Sequence, residues 1–327
     1  MKFLIAGCGS IGRRHAINLK TLGIKEFVLC DINKERLKRL RHELEGCTVT
    51  LTDRLDRGLE EVPDAAVIAT PSSMHLEMAL LCADHNVNLF IEKPLSHTLD
   101  GVEELLRTVN RRRLVAMMGM CYRFHPVFLK IKSLLDKEAI GRVYHVNYYG
   151  GHYLPDWHPQ EDYRKEYAAR RELGGGVVLT SIHGLDNIRW LFGEVTELKA
   201  FMDKVSELEL DVEDIAIGVM RTDRGIYVNW HTDFIERTPI HRIFISADRG
   251  IIRADIIKGV VRIYTVDDGG WKSLTIPYDV NTMYLKEMEY FIDCLETGEQ
   301  PAMDVTEGYR TLKLAISVKE DSLQCTV

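Results

Sequence analysis

The sequence predicts a two-part α/β chain: a doubly wound parallel sheet at the N-terminus, then an α+β part built on a large, mostly antiparallel sheet. Three observations carry this. Apolar, strand-like runs alternate with helical periods from Lys2 to about Met118. A Gly7-x-Gly9-x-x-Gly12 turn joins the first strand to the first helix. After Gly119 the rhythm gives way to many short alternating runs separated by turn residues. At 327 residues the chain is too long for one ordinary core, so two domains are expected.

Taken in order, Lys2 to Ala6 is an apolar strand, and a helical pattern runs from about Ile11 to Leu22. Glu26 to Cys30 is the next strand, closed by Asp31, and 33–44 reads as a charged helix. Strands at 48–51 and 65–69 follow, the second closed by Thr70-Pro71-Ser72. Helix 73–84 leads to strand 87–91, and helix 99–111 to strand 114–118. Beyond Gly119, one helix at 126–136 precedes a strand at 142–149, and a helix over 180–192 follows the glycine run Gly174-Gly175-Gly176. Runs at 215–220, 226–230, 242–246 and 260–266 read as sheet. Tyr284, Met288, Phe291, Ile292 and Leu295 return to helical spacing, with Gly298 at C′, and Asp304-Val-Thr-Glu307 caps a last helix to about 318. The expected domains are 1–121, 122–303 and a C-terminal helical segment, 304–327.

The glycine motif has the context that gives it meaning: a strand before, a helix after, and an acid ending the next strand. Gly7 permits the tight turn, Gly9 lets backbone approach a pyrophosphate, and Gly12 lets helix and strand pack closely. The helix N-terminus offers amides and the positive end of its dipole to phosphates. Asp31 suits the ribose hydroxyls and repels a 2′-phosphate, which favours NAD over NADP, although Lys34 and Arg36 lie nearby. A second feature is Glu92-Lys93-Pro94 at the end of a buried strand. Lysine is almost never fully buried without a partner, and its ammonium can give up or share a proton when desolvated. Read alone, the pair is equally a solvated Glu-Lys at a strand edge.

Composition excludes several classes. The chain is 46% hydrophobic and 28% charged with net charge −7, which gives no reason to expect nucleic-acid binding. No apolar run approaches the roughly 20 residues of a membrane span. The first residues run straight into the glycine motif and are too short for a signal peptide. Seven cysteines (8, 30, 47, 82, 121, 294, 325) are scattered without a Cys-x-x-Cys, which reads as a reduced, cytoplasmic protein with no disulfide frame.

Gly7-x-Gly9-x-x-Gly12, Thr70-Pro71-Ser72-x-x-His75, Glu92-Lys93-Pro94, Tyr122-Arg123-Phe124-His125-Pro126, and Gly174-Gly175-Gly176 followed by His183-x-x-Asp186 occur in that order. Together they resemble the glucose–fructose oxidoreductase / inositol dehydrogenase (Gfo/Idh/MocA) family over essentially the whole chain. The stretch Tyr153 to Arg164 resembles a subgroup of surface-polysaccharide and sialic-acid-like sugar pathways. The resemblance implies an N-terminal Rossmann domain and a C-terminal domain whose open sheet joins a homodimer or homotetramer. It implies an NAD(P)-dependent oxidoreductase moving a hydride between nicotinamide and a hydroxyl or keto carbon of a sugar, polyol or sugar nucleotide. The cofactor residues it implies are Gly7, Gly9, Ser10, Ile11, Gly12, Asp31, Ile32, Thr70, Pro71, Ser72, His75, Glu92, Lys93 and Pro94, with the Lys93–Pro94 peptide commonly cis.

For the chemistry, the resemblance implies Lys93 and His183 as catalytic residues. Imidazole titrates near neutral pH and suits a general base; on its residues alone, His183 reads first as a hydrogen-bonded core histidine, and the resemblance turns that to a site role. Asp186, one turn on, shares its face and could orient the ring or hold a hydroxyl. The chain departs from the family where an aspartate usually precedes the histidine: Leu179 and Thr180 stand there, and Gly184 stands where relatives often carry glutamate. Thr180 can hydrogen-bond but cannot take a proton as a carboxylate does. Arg123, Tyr153, Trp157, Tyr163, Arg164, Thr180 and Asp186 are the expected substrate contacts, with His125 beside Arg123. Trp and Tyr offer flat faces for a sugar, and Arg pairs with carboxylate or phosphate. His152, Asp156 and His158 are metal-type ligands, but the implied chemistry needs no metal and none is expected. Two other readings stand beside the dehydrogenase: a dinucleotide-binding sensor without turnover, motivated by the missing aspartate, and a lyase or hydrolase that recycles NAD.

Overall fold

The computed structural model describes residues 1–324, with side chains to Asp321. Cys325 and the end of the expected segment 304–327 lie outside the described residues. The chain divides into two compact units: Met1–Cys121 with Val280–Leu312, and Tyr122–Asp279 with the chain from Lys313 on.

In the first unit, strands β1 (Lys2–Ala6), β2 (Glu26–Cys30), β3 (Thr48–Thr52), β4 (Ala65–Ile68), β5 (Asn88–Glu92) and β6 (Ala116–Gly119) form a six-stranded sheet in the order β3-β2-β1-β4-β5-β6. Every pairing is parallel. The apolar runs have the reason parallel strands usually have: helices cover both faces, and Phe3, Leu4, Ile5, Val67, Phe90 and Ile91 are 0% exposed. Helices α1 (Ser10–Thr21), α2 (Lys34–Glu43), α3 (Leu55–Glu60), α4 (His75–Asp84) and α5 (Val102–Arg112) connect them. The six residues of α3 are too few to show a period, so sequence reading missed it. The strand order reverses between β1 and β4, and ligands of such sheets bind beyond the strands' carboxyl ends at that point.

The expected 122–303 domain does not stay together. Its helix α9 (Val280–Thr297), which follows α6 to α8 described below, belongs to the first unit. Phe291 packs edge-on to Phe3 at 6.3 Å and against Phe90 at 5.6 Å, Asn281 bonds Asn18, and the Met118 amide donates to the Met303 carbonyl. Helix α10 (Val305–Gln324) starts in the first unit and continues in the second.

The second unit is an eight-stranded sheet: β7 (Val143–Gly151), β8 (Val195–Asp203), β9 (Ile215–Thr222), β10 (Tyr227–Asp233), β11 (Ile240–Ala247), β12 (Gly250–Asp255), β13 (Val260–Thr265) and β14 (Gly270–Thr275). Their order is β14-β13-β12-β11-β7-β10-β9-β8. Among the described strands, β7 and β10 pair in parallel and the other neighbours antiparallel. Period-2 alternation holds: in β9, Ala216, Gly218, Met220 and Thr222 are buried while Ile217, Val219 and Arg221 are exposed. Helices α6 (Pro126–Asp136), α7 (Val177–Thr180) and α8 (His183–Phe192) belong to this unit, so the expected helix over 180–192 is two helices with a tight turn, Gly184 amide to Ser181 carbonyl, at the junction.

Candidate active site

In the first unit the glycine turn is built as its spacing predicts. Gly7 has φ +90°, and a Cβ on it would press on the Ala69 carbonyl; a Cβ on Gly12 would collide with the Gly7 carbonyl oxygen. Gly9 has open space, with only Arg36 Nη1 at 3.9 Å from a Cβ placed there. Helix α1 begins without a side-chain cap and without an acid in its first turn, so its leading amides and dipole are free for an anion. Asp31 closes the turn: its carboxylate accepts from the Cys8 amide and the Asn33 amide, each at 2.7 Å. Each oxygen keeps a second lone pair, Ile32 beside it is 88% exposed, and Ser10 is exposed. These residues fit a dinucleotide.

Of the described residues 89–96, Lys93 alone is not buried. The peptide to Pro94 is cis. Two buried histidines hold this segment. Glu92 Oε1 lies 2.6 Å from Nε2 of His15 on α1, and Glu92 Oε2 accepts from the Lys93 amide at 3.2 Å. On the other side, His75 puts Nδ1 2.7 Å from the Pro94 carbonyl and Nε2 2.8 Å from the Thr70 carbonyl. Burial draws the His75 pKa down, against the pull of these carbonyls. The three motifs of the first unit are thereby tied to one another through Glu92, His15 and His75.

In the second unit His183 opens α8 and is partly exposed. Its ring lies 4.6 Å from that of Tyr122 at 31°, and Tyr122 lies 5.3 Å from His241 on β11. Beneath them, Asn187 Nδ2 donates to the Tyr148 hydroxyl at 3.1 Å, and that oxygen is 2.7 Å from His241 Nε2. The Tyr148 hydroxyl, accepting from Asn187, thus links that amide to the His241 ring. Burial, then the neighbouring His125 and His183, pull the His241 pKa down to about 3; burial alone takes His125 down to about 4. Both are neutral imidazoles at neutral pH. Gly184 has a local reason: a Cβ there would come within 2.9 Å of Trp230 Nε1 and 3.1 Å of Tyr148 Cε1, so glutamate does not fit.

Several expected contacts are used up internally. Ser72 and His75 are 2% and 1% exposed, and His75 braces the Thr70 turn through its two carbonyl contacts. Thr180 is 2% and Asp186 1% exposed. Asp186 takes Arg123 Nε and Nη2 at 2.9 and 2.7 Å in a buried bidentate pair. Tyr153 lies under the Arg237 guanidinium at 3.7 Å. Trp157 donates to the His152 carbonyl and packs edge-on to Phe234. The Tyr163 hydroxyl accepts from the Glu209 amide, and Arg164 pairs with Asp162 and Glu209. Sequence reading missed His241, Tyr148 and Asn187. Strand alternation could have put His241 on the inner face with Ile243 and Ile245, but no spacing ties it to Tyr122.

Comparison with known proteins gives the same two parts. Residues 1–120 match the family described as "Oxidoreductase family, NAD-binding Rossmann fold", and 128–253 match the GFO/IDH/MocA C-terminal domain. The chain is 27% identical to myo-inositol 2-dehydrogenase of Thermotoga maritima, over 98% of this chain and 96% of that one. It is 25% identical to 2,7-anhydro-N-acetylneuraminate hydratase of Mediterraneibacter gnavus, over 67% and 64%. In fold it is similar to a levoglucosan dehydrogenase solved with NADH, with TM-score 0.88 and 16% identity over 99% of this chain and 97% of that one. Matched in both parts and along nearly the full length of a curated relative, the chain belongs to the GFO/IDH/MocA family of NAD-dependent oxidoreductases.

Proposed function

We propose that this oxidoreductase interconverts a secondary alcohol and a ketone on a sugar, polyol or sugar nucleotide, with Lys93 and His183 as its catalytic residues. The observation that carries the reading is Lys93: at a strand end with buried neighbours, it alone among the described residues 89–96 is not buried. When bound, the nicotinamide supplies the hydride acceptor. The chain must supply position and a route for the hydroxyl proton. The first-turn amides of α1 hold the pyrophosphate, and Asp31 holds the adenosine ribose. Lys93 donates a hydrogen bond to the reacting oxygen and favours its deprotonated form. His183 accepts the proton at an imidazole held against Tyr122. Thr180 lacks a carboxylate, so no full lysine–aspartate–histidine relay is proposed.

The test is reduction of NAD⁺ by the purified chain across inositols, hexoses and UDP-sugars, with Lys93→Ala beside the parent. The expected loss in kcat is about 10²–10⁴-fold; turnover by Lys93→Ala at the parent rate overturns the reading. A second reading, NAD-recycling elimination or hydration, is favoured by the likeness to a hydratase. Solvent deuterium entering the sugar with no net NADH would select it.

The remaining features are read the same way. Phe201, Ile217, Val219, Tyr227 and Phe244 are exposed on one face of the eight-stranded sheet, which supports self-association as a homodimer or homotetramer. Six described cysteines are free, which suits the cytoplasm. Among the described residues no helix is long and apolar enough to cross a membrane.

A further inference from the structure

Behind Lys93 lies a buried group of ionisable side chains that the proposed reaction does not use. Glu92 is 7% exposed and shares a 2.6 Å contact with His15, which is 0% exposed. Glu287, one turn after Tyr284 on α9, is also 0% exposed, and neither of its carboxyl oxygens has a hydrogen bond among the described residues. The Met120 amide, which donates to the Met118 carbonyl at 2.9 Å, also draws the Glu287 carboxyl down, but less than the effects that raise it. Burial, then the charge of Glu92, push the Glu287 carboxyl well above the usual carboxylate range.

The other ionisable groups facing this enclosure are known. Cys121 follows β6, its thiol pushed up by burial and then by Glu287 and Glu92. His75 on α4 feels both Glu92 and Lys93. Tyr284 on α9 bonds the Cys121 thiol, and the Arg14 guanidinium lies 4.5 Å over its ring. Two carboxyls in one apolar enclosure do not both ionise. Glu92 has the His15 ring at 2.6 Å and the Lys93 amide at 3.2 Å as partners, whereas Glu287 has only the pull of the Met120 amide, with no well-formed hydrogen bond to either oxygen among the described residues. The charge therefore settles on Glu92 and the proton on Glu287.

We infer that Glu92 is a positioning residue for Lys93: anchored by His15, with Glu287 holding the cluster's proton, its carboxylate is the single buried negative charge that orients Lys93 and keeps its ammonium protonated. This rests on the proposed role of Lys93, and it gives Glu92 a task other than contact with the cofactor. His15 lies on α1, the helix whose first turn meets the pyrophosphate, so one helix fixes both the phosphate site and, through Glu92, the lysine.

The experiment uses the full chain and needs no sugar. Lys93 is labelled with trinitrobenzenesulfonate across pH and followed by peptide mass mapping, while NAD⁺ affinity is measured by calorimetry. In Glu92→Gln the midpoint of Lys93 labelling moves down by about one pH unit or more, and NAD⁺ affinity stays within about threefold of the parent. An unmoved midpoint, or a loss of NAD⁺ affinity of about tenfold without that shift, makes Glu92 a cofactor ligand and overturns the inference. Infrared spectra at pH 8 are the second arm, and they do not depend on how well Glu92→Gln folds. The parent shows a protonated-carboxyl carbonyl band that Glu287→Gln removes; its absence in the parent overturns the assignment of the proton. Full turnover by Lys93→Ala would refute the proposed reaction and leave the labelling and infrared results standing, so the two failures are distinct.

Discussion

The two units hold their site-type residues by different means. In the first, backbone does most of it: Gly7 and Gly12 fit where a Cβ would strike a carbonyl, and His75 grips two carbonyls 19 residues apart in one case and 5 in the other. In the second, side chains hold side chains: Arg123 takes Asp186, Arg164 takes Asp162 and Glu209, and Tyr153 lies under Arg237. The difference has a physical root. A turn that needs glycine at fixed spacing can be built in few ways, so the spacing predicts the geometry. A loop rich in Arg, Tyr, Asp and Trp can satisfy those groups on a ligand or on each other, and composition does not say which.

The sharpest test of this contrast is the buried pair. In Asp186→Asn the Arg123 guanidinium, 8% exposed, loses its carboxylate. Breaking a buried pair by removing one partner costs about 3–5 kcal/mol, while the joint change Arg123→Met with Asp186→Leu recovers most of it. Urea denaturation measures both. If Asp186→Asn unfolds like the parent and instead loses substrate affinity, Asp186 is a ligand contact and the contrast between the units fails.

Much of the fold was legible in the sequence because period and punctuation carry it. The strands at 26–30 and the helix at 126–136 lie where the sequence puts them. The helix at 280–297 was legible as a helix but not as a member of the first unit, because its apolar stripe is the same whichever core receives it; Phe3 and Phe90 decide. In the candidate site, the glycine turn and the partly exposed Lys93 were legible. The neutral His241, with Tyr148 and Asn187 beneath it, was not, since those three residues meet only through the pairing of β7 with β11 and the packing of α8.

The histidine floor makes a smaller, signed effect. The folded chain holds the His241 pKa near about 3, against 6.5 for an ordinary imidazole. Between those values the unfolded chain binds the proton and the folded one does not. Stability contributed by the neutral ring is therefore full above pH 6.5 and falls as pH drops through that window, by about 1.4 kcal/mol per unit. His241→Gln keeps a hydrogen-bond partner for the Tyr148 hydroxyl and removes the titration, so its stability declines less steeply from pH 7 to 4 in urea melts. His125, down to about 4, contributes its own slope equally to parent and variant. Parallel declines would mean that His241 binds its proton in the folded chain as readily as in the unfolded one.

The smallest effect is expected in the loop, and it bears most directly on what composition can say. Tyr163 has the look of a sugar-binding residue, yet its hydroxyl already accepts the Glu209 amide at 3.1 Å. Tyr163→Phe removes that one bond, worth about 0.5–1.5 kcal/mol of stability, and leaves the flat face of the ring in place. If the loop is held by its own pairs, KM for the sugar stays within about twofold of the parent, because no ligand bond was removed. A rise of about tenfold or more, at unchanged stability, would show that the hydroxyl turns to the substrate on binding. The side-chain pairing of the second unit would then be a resting arrangement that the substrate exchanges for its own bonds, and the residue types of the loop would have been the better guide after all.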